Sequence, residues 1–278
     1  MTVFHFNIPW IINQSDYNCS SRSLSEWQGR GTVNYVQGVY LTVSGTFFVT
    51  GAVFCSSISF GWFGGYLSTC LWVGASFNCI ILALNRVVEM IPSANGFCFL
   101  FRGKWLFFWM LLSIAYMTTL PFFTRPYPFN SVIATFTMLP VISDDFAQEA
   151  SHFTTIFIPI HNVTVAVVML TLYFLLCFNI VRMRRLAKGV NHKSQIQLFS
   201  QAFLICTLTT MTAVLYSWMY FFSVSLITTM VSHIFWQTSH GLHGIVYICL
   251  NRRIRGEVLK MFHIKKHDYP MTVTLFHA

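Results

Sequence analysis

Residues 62–90 read WFGGYLSTCLWVGASFNCIILALNRVVEM, and this stretch decides the fold. It carries no charge from Trp62 to Asn85 and then stops on Arg86. Roughly 20 apolar residues span the hydrocarbon core of a bilayer as a helix. An unpaired arginine at that depth costs a few kcal/mol, so the membrane boundary falls near Asn85-Arg86. One helix therefore delivers Asn85, Arg86 and Glu89 to one membrane face. Arg86 and Glu89 stand one turn apart, the spacing of an ion pair. The spacing leaves two readings open: a positive stop after a membrane helix, or a cytoplasmic switch at the end of a central one.

The composition extends the membrane reading to the whole chain. Of 278 residues, 55% are hydrophobic and only 9% are charged, with a mean hydropathy of +0.60. A soluble domain has about 25% charged residues. The apolar runs are continuous rather than alternating, which excludes a β-barrel. The class is all-α, a polytopic membrane helix bundle. Net charge is +9, but the basic residues concentrate in alternate loops, which is the signature of membrane orientation and not of nucleic-acid binding. Eight cysteines are scattered with no C-x-x-C pair, so no zinc or redox framework is expected.

In chain order, residues 1–33 form a polar tail without a signal peptide, because Asn7 and Pro9 interrupt its apolar run. The tail holds two N-x-S sequons, at Asn13 and Asn18, which are glycosylation sites if it lies outside the cell. No charge occurs from Val33 to Leu84, enough for two helices over about 35–58 and 62–85, joined at a glycine-rich turn. Residues 86–104 read as a short loop. Further spans are expected at 105–123, 154–181, 198–222 and 228–250, about six in all, within one receptor domain whose bundle covers 34–250 and whose basic tail covers 251–278. Loops 86–104 and 182–197 and the tail hold 14 of the 17 Lys and Arg and are expected to be cytoplasmic. Loop 124–153 then faces outward.

No motif for phosphate binding, hydrolysis or metal catalysis is present, so neither an enzyme, a cofactor nor a metal is expected. All eight Asp and Glu fall outside the spans, which weighs against ion-coupled transport. No lysine lies in a span, which excludes a Schiff-base chromophore. His233, Gln237 and His240 share one face of the last helix, which leaves three readings open: a polar stripe turned toward the bundle, a ligand contact, or a metal site or proton relay. His161 and Asn162 follow Pro159 and read as polar groups turned inward from a bent helix.

The sequence resembles the nematode serpentine chemoreceptors of class T. The matching residues are Tyr17-Asn18-Cys19-Ser20, Glu26-Trp27, Gly31, Gly38, Gly45, Gly51 and Cys55. They continue with the run Leu82 to Met90, Asn130-Ser131, His161-Asn162, Tyr173, Gln201, and the run Tyr247 to Arg255. The resemblance implies the seven-transmembrane receptor type, with an outside N-terminus and multi-pass placement in the plasma membrane of a sensory neuron. It implies a small-molecule, odorant-like ligand and a heterotrimeric G protein as partners. Asn85-Arg86 takes the place of the acidic-Arg-aromatic triplet of rhodopsin-like receptors, and Asn-Pro-x-x-Tyr is absent from the last helix. Asn85, Arg86 and Glu89 are the expected coupling residues; His161, Asn162 and Gln237 are the expected ligand contacts. Between Phe48 and Val49 the family has the rest of one helix, a basic loop and most of the next.

Six spans cannot join an outside tail to an inside one, so either 35–58 does not cross or the N-terminus is inside. If Cys55 lies outside, Cys19 is its outer partner, since no cysteine occurs between Cys98 and Cys177. The competing readings are a membrane transporter or channel, which wants an intramembrane ion site or a repeat between halves, and a non-functional truncated receptor.

Overall fold

The computed structural model describes residues 12, 16–30, 50, 53–132, 135–186, 193–222, 224–250 and 252–261. Eight α-helices are described: α1 (Leu24–Gly29), α2 (Ile58–Met90), α3 (Lys104–Thr119), α4 (Phe146–Phe153), α5 (Phe157–Leu186), α6 (Lys193–Phe221), α7 (Leu226–Leu250) and α8 (Arg252–Met261). A 3-10 turn at Phe54–Ser56 leads into α2, and a 3-10 helix at Pro92–Phe101 leads into α3. A short antiparallel hairpin, β1 (Phe129–Asn130) and β2 (Thr135–Phe136), pairs Phe129 with Phe136.

Lipid offers no hydrogen bonds, so every backbone group in the spans must be satisfied within its helix. Side-chain hydroxyls follow the same rule. Those of Thr69, Ser76, Thr171, Thr207, Thr210 and Ser217 each donate to a carbonyl one turn earlier. α2 is the central helix, packed against α3, α5 and α6, while α5, α6 and α7 pack in succession. Val73, Met169, Leu176, Cys206 and Ala213 are fully enclosed between them. By contrast Phe107, Leu111, Phe174, Phe178 and Ile227 point outward, as lipid-facing residues do.

The two ends of the bundle differ in chemistry. One end is basic: Arg86, Arg102, Lys104, Arg182 and Arg255 lie there. The other is capped by the segment 16–30 and the segment 124–153. Cys19 and Cys55 form a disulfide with Cα atoms 5.5 Å apart. Tyr17 packs edge-on against Trp62 at 4.7 Å and against Phe54 and Phe153. Trp27 is buried and donates its indole N–H to the Cys19 carbonyl at 2.9 Å. Segment 124–153 has no cysteine with which to join this cap and is held by ion pairs instead. Arg125 reaches Asp16 at 3.4 Å, and Asp144 is gripped by Arg22 and, at 2.9 Å, by Arg30.

Several expectations change. Helix 62–85 runs longer, as Ile58–Met90, and the expected loop 86–104 is mostly the 3-10 helix Pro92–Phe101. The expected span 105–123 is a broken one: the 3-10 helix and α3 meet at 75°. Pro92 starts the first piece, and Gly103, at φ +58, makes the corner. α2, Phe157–Arg182 and Phe199–Phe221 are long and apolar enough to cross a membrane, and α7 has the length but not the apolarity. Its His233, Ser239 and Gln237 are buried, so α7 sits with its polar stripe turned into the bundle. The expected span 35–58 lies largely outside the described residues; its described end, residues 53–57, belongs to the capped end.

Candidate functional site

A cavity of about 770 Å³ opens between α2 and α7. α2 supplies the face Gly64, Ser68, Leu71, Ala75, Asn78 and Leu82, residues three and four apart that stack along one stripe. α7 supplies Trp236, Gln237, His240 and Gly241. Met117 and Ile205 close the back, and Phe136 of β2 crosses the top. Among the described residues no Asp, Glu, Lys or Arg reaches the cavity wall. The lining is mostly apolar, with the hydroxyl of Ser68, the amides of Asn78 and Gln237 and the imidazole of His240 among its polar groups, the composition of a small-molecule site.

Phe136 is placed by the hairpin. It lies 5.4 Å from Phe129, 5.8 Å from His233 and 5.4 Å from Trp236, ring to ring. The hairpin is anchored from below, where Thr135 and Tyr216 share a hydroxyl contact at 3.2 Å. It is anchored from the side by Gly65. A Cβ there would come within 2.9 Å of the Tyr127 carbonyl, so the loop backbone lies directly on α2 and only glycine admits it.

The three expected ligand residues are not in one place. Gln237 lines the cavity, and its amide nitrogen meets His233 Nε2 at 3.1 Å. His161 and Asn162 instead tie helices together. Asn162 Oδ1 accepts from the Trp72 indole at 2.9 Å, which joins α5 to α2. His161 bridges Ser76 of α2 through Nε2 and Tyr116 of α3 through Nδ1, both at 2.9 Å. Asn162 also borders a second void of about 40 Å³, room for little more than a water or two. The signal that would have separated them is helix phase: Pro159 turns His161 and Asn162 toward the α2–α3–α5 seam, while Gln237 faces across to α2. His240 was visible as part of the polar stripe of the last helix, but nothing in the spacing marks it and Asn78 as lining one cavity. Among the described residues no three His, Cys, Asp or Glu stand close enough to hold a metal ion.

At the basic end Arg86 pairs with Glu89 at 2.6 Å, as the one-turn spacing requires. Buried beside it, Asn85 Oδ1, Arg86 Nε and, on α6, Gln201 Nε2 have no hydrogen-bond partner. Buried polar atoms left without partners are costly. Of the glycosylation candidates, Asn18 is exposed beside the disulfide and accepts from the Ser20 amide and hydroxyl at 2.9 and 2.6 Å. Asn13 lies outside the described residues.

Comparison with known proteins adds the following. Residues 41–270 match the family model described as "Serpentine type 7TM GPCR chemoreceptor Srt". Serpentine receptor class T-55 of Caenorhabditis elegans is 23% identical over 310 aligned positions, which cover 91% of this chain and 82% of that protein. The aligned span is longer than this chain, so the relative carries within it on the order of 50 additional residues, the length of a membrane helix pair with its loop. No solved structure matches.

Proposed function

Because the chain belongs to the Srt family of serpentine-type seven-transmembrane chemoreceptors, a receptor family and not an enzyme family, we propose that it detects a small organic molecule and signals to a heterotrimeric G protein. The observation that carries the reading is the cavity between α2 and α7. It falls within the 300–1,000 Å³ of small-molecule sites and carries only a few polar groups on an apolar wall. Gln237 is the expected ligand contact, with Asn78 and His240. His161 and Asn162 act one layer out, by fixing the helices that frame the cavity.

The proposed orientation puts the capped end outside the cell and the basic end inside. It rests on the clustering of arginines and lysines at one end and of the disulfide at the other. Arg30, which precedes the segment expected to cross at 35–58, and Val53, in its described end, both belong to the capped end. Among the described residues, α2, the bent pair ending in α3, α5 and α6 are apolar enough to cross, and α7 crosses with its polar stripe turned inward; these five run from the capped end at Val53 to the basic end at Arg255. Asn18 is then positioned for glycosylation, and the membrane is the plasma membrane.

Asn85, Arg86 and Glu89 are proposed as the coupling site. Pairing of Arg86 with Glu89 describes the resting state, and release of Arg86 toward a G protein describes the active one. The test is nucleotide exchange on a co-expressed G protein, read beside surface labelling. Arg86→Ala is expected to reach the surface and to lose exchange. A variant that reaches the surface and signals as the parent does would leave Arg86 as a membrane-stop charge only.

A further inference from the structure

The cavity is shut toward the cap and open on its flank. At the cap, Phe136 covers it with Phe129 and Trp236 packed behind, and the Tyr127 backbone presses on α2 at Gly65. On the flank, Trp72 of α2 and His240 of α7 lie with their rings 6.1 Å apart. Lining residues there are open to the surroundings: Leu67 is 55% exposed, Leu71 49%, and Asn78 and Gly241 are exposed as well. Counting back from Arg86, a hydrocarbon core of roughly 20 helical residues reaches about Tyr66. Leu67, Leu71 and Asn78 therefore stand at bilayer depth, and the surroundings they face are lipid tails, not water.

Asn78 is the second observation. Its amide is exposed in the middle of α2 with no hydrogen bond to any described residue. An amide facing hydrocarbon without a partner is costly, so the site calls for an occupant that is apolar along most of its length and polar at one point. Among the described residues the wall holds no charged side chain to balance an ionised ligand.

Building on the receptor reading above, we propose that the ligand is a neutral, membrane-partitioning amphiphile, an alkyl chain with one hydrogen-bonding head such as a long-chain alcohol. It enters sideways from the bilayer between α2 and α7. Its head lodges among Asn78, Gln237 and His240, and its chain lies along Leu67, Leu71 and Ala75.

The test uses the full chain in phosphatidylcholine nanodiscs with a diazirine-bearing long-chain alcohol. Photolysis is expected to label residues 66–82 and 236–241, in competition with the unlabelled alcohol. Across alcohols of increasing chain length, the labelling rate is expected to follow partition into the bilayer. Gly241→Trp fills the flank from a position whose Cβ meets nothing within 4 Å, so it should fold and reach the surface, and should cut labelling on the order of tenfold. Leu71→Trp, at a second exposed flank position, should do the same. The proposal falls if the labelling rate ignores partition across the alcohol series, because the route is then aqueous. It also falls if the probe labels neither helix, or if a cysteine at position 71 crosslinks to a second protein chain, because a helix then fills the flank. Labelling needs no G protein, so labelling without nucleotide exchange would defeat the coupling reading and leave this one standing.

Discussion

Glu149 shows how much a single side chain is asked to do. It is 4% exposed, and one of its oxygens accepts from the Ile142 amide at 2.9 Å. The adjacent Val141 has φ 56°, a left-handed conformation that a β-branched residue adopts at a cost of about 1–3 kcal/mol. The carboxylate holds that turn in place. Val141→Gly is therefore expected to stabilise the cap by about 1 kcal/mol, measured as slower amide exchange over residues 141–149. Burial pushes the Glu149 carboxyl above the usual carboxylate range, whereas the hydrogen bonds from Arg22 and Arg30 hold Asp144 below it. The native state binds the Glu149 proton more tightly than the unfolded chain does, so the cap gains stability as pH falls through that raised value. Asp144 works in reverse: its contribution is present above the ordinary carboxylate pKa and is lost as pH falls through the depressed one. Amide protection in residues 16–30 should pass through a maximum in mild acid and then fall. Asp144→Asn should flatten the acid side, Glu149→Gln should remove the initial gain, and Asp16→Asn controls for the neighbouring contacts with Arg125 and His152. Arg86 and Glu89 belong to this scale too. Their pair is partly exposed, worth up to about 1 kcal/mol, so Glu89→Ala should raise basal nucleotide exchange several-fold at most.

The hairpin β1–β2 and its seat on α2 form the element on which the site depends. Gly65→Ala places a methyl against the Tyr127 carbonyl, and backbone cannot yield as a side-chain tip can. The expected cost is about 1–3 kcal/mol, with weaker ligand response at normal surface expression, read by ligand titration beside surface labelling. The long helices were legible in advance because uninterrupted apolar runs ending on Arg86 and Arg182 have one physical interpretation in lipid. Arg86–Glu89 was legible because helix geometry alone fixes its spacing. The hairpin was not, since two rungs leave no periodic trace and Phe129 and Phe136 look like any of the 29 phenylalanines. The break at Gly103 was hidden for the opposite reason: apolar residues on both sides of it read as continuous span and loop. His161 and Asn162 were recognised as inward-facing, but helix phase across three helices decides which groups they meet.

At the scale of the described residues, the spans leave a cavity between α2 and α7, with a covalent and ionic cap at one end and cations at the other. The orientation predicts that a membrane-impermeant amine reagent will not reach Lys188 in intact cells and will reach it after permeabilisation. Modification of Lys188 from outside would reverse the assignment. The Cys19–Cys55 bridge also sets an order of events during synthesis. Both cysteines have been translated once α2 begins to emerge, long before Asp144 exists. The bridge can thus close in the secretory pathway while Arg22 and Arg30 still wait for their carboxylate, and the segment carrying Asp144 later arrives at a platform already in place. Cells pulsed in dithiothreitol would make the platform late. Chains that finish translation before they are oxidised should then be retained and degraded, even though every helix has entered the membrane.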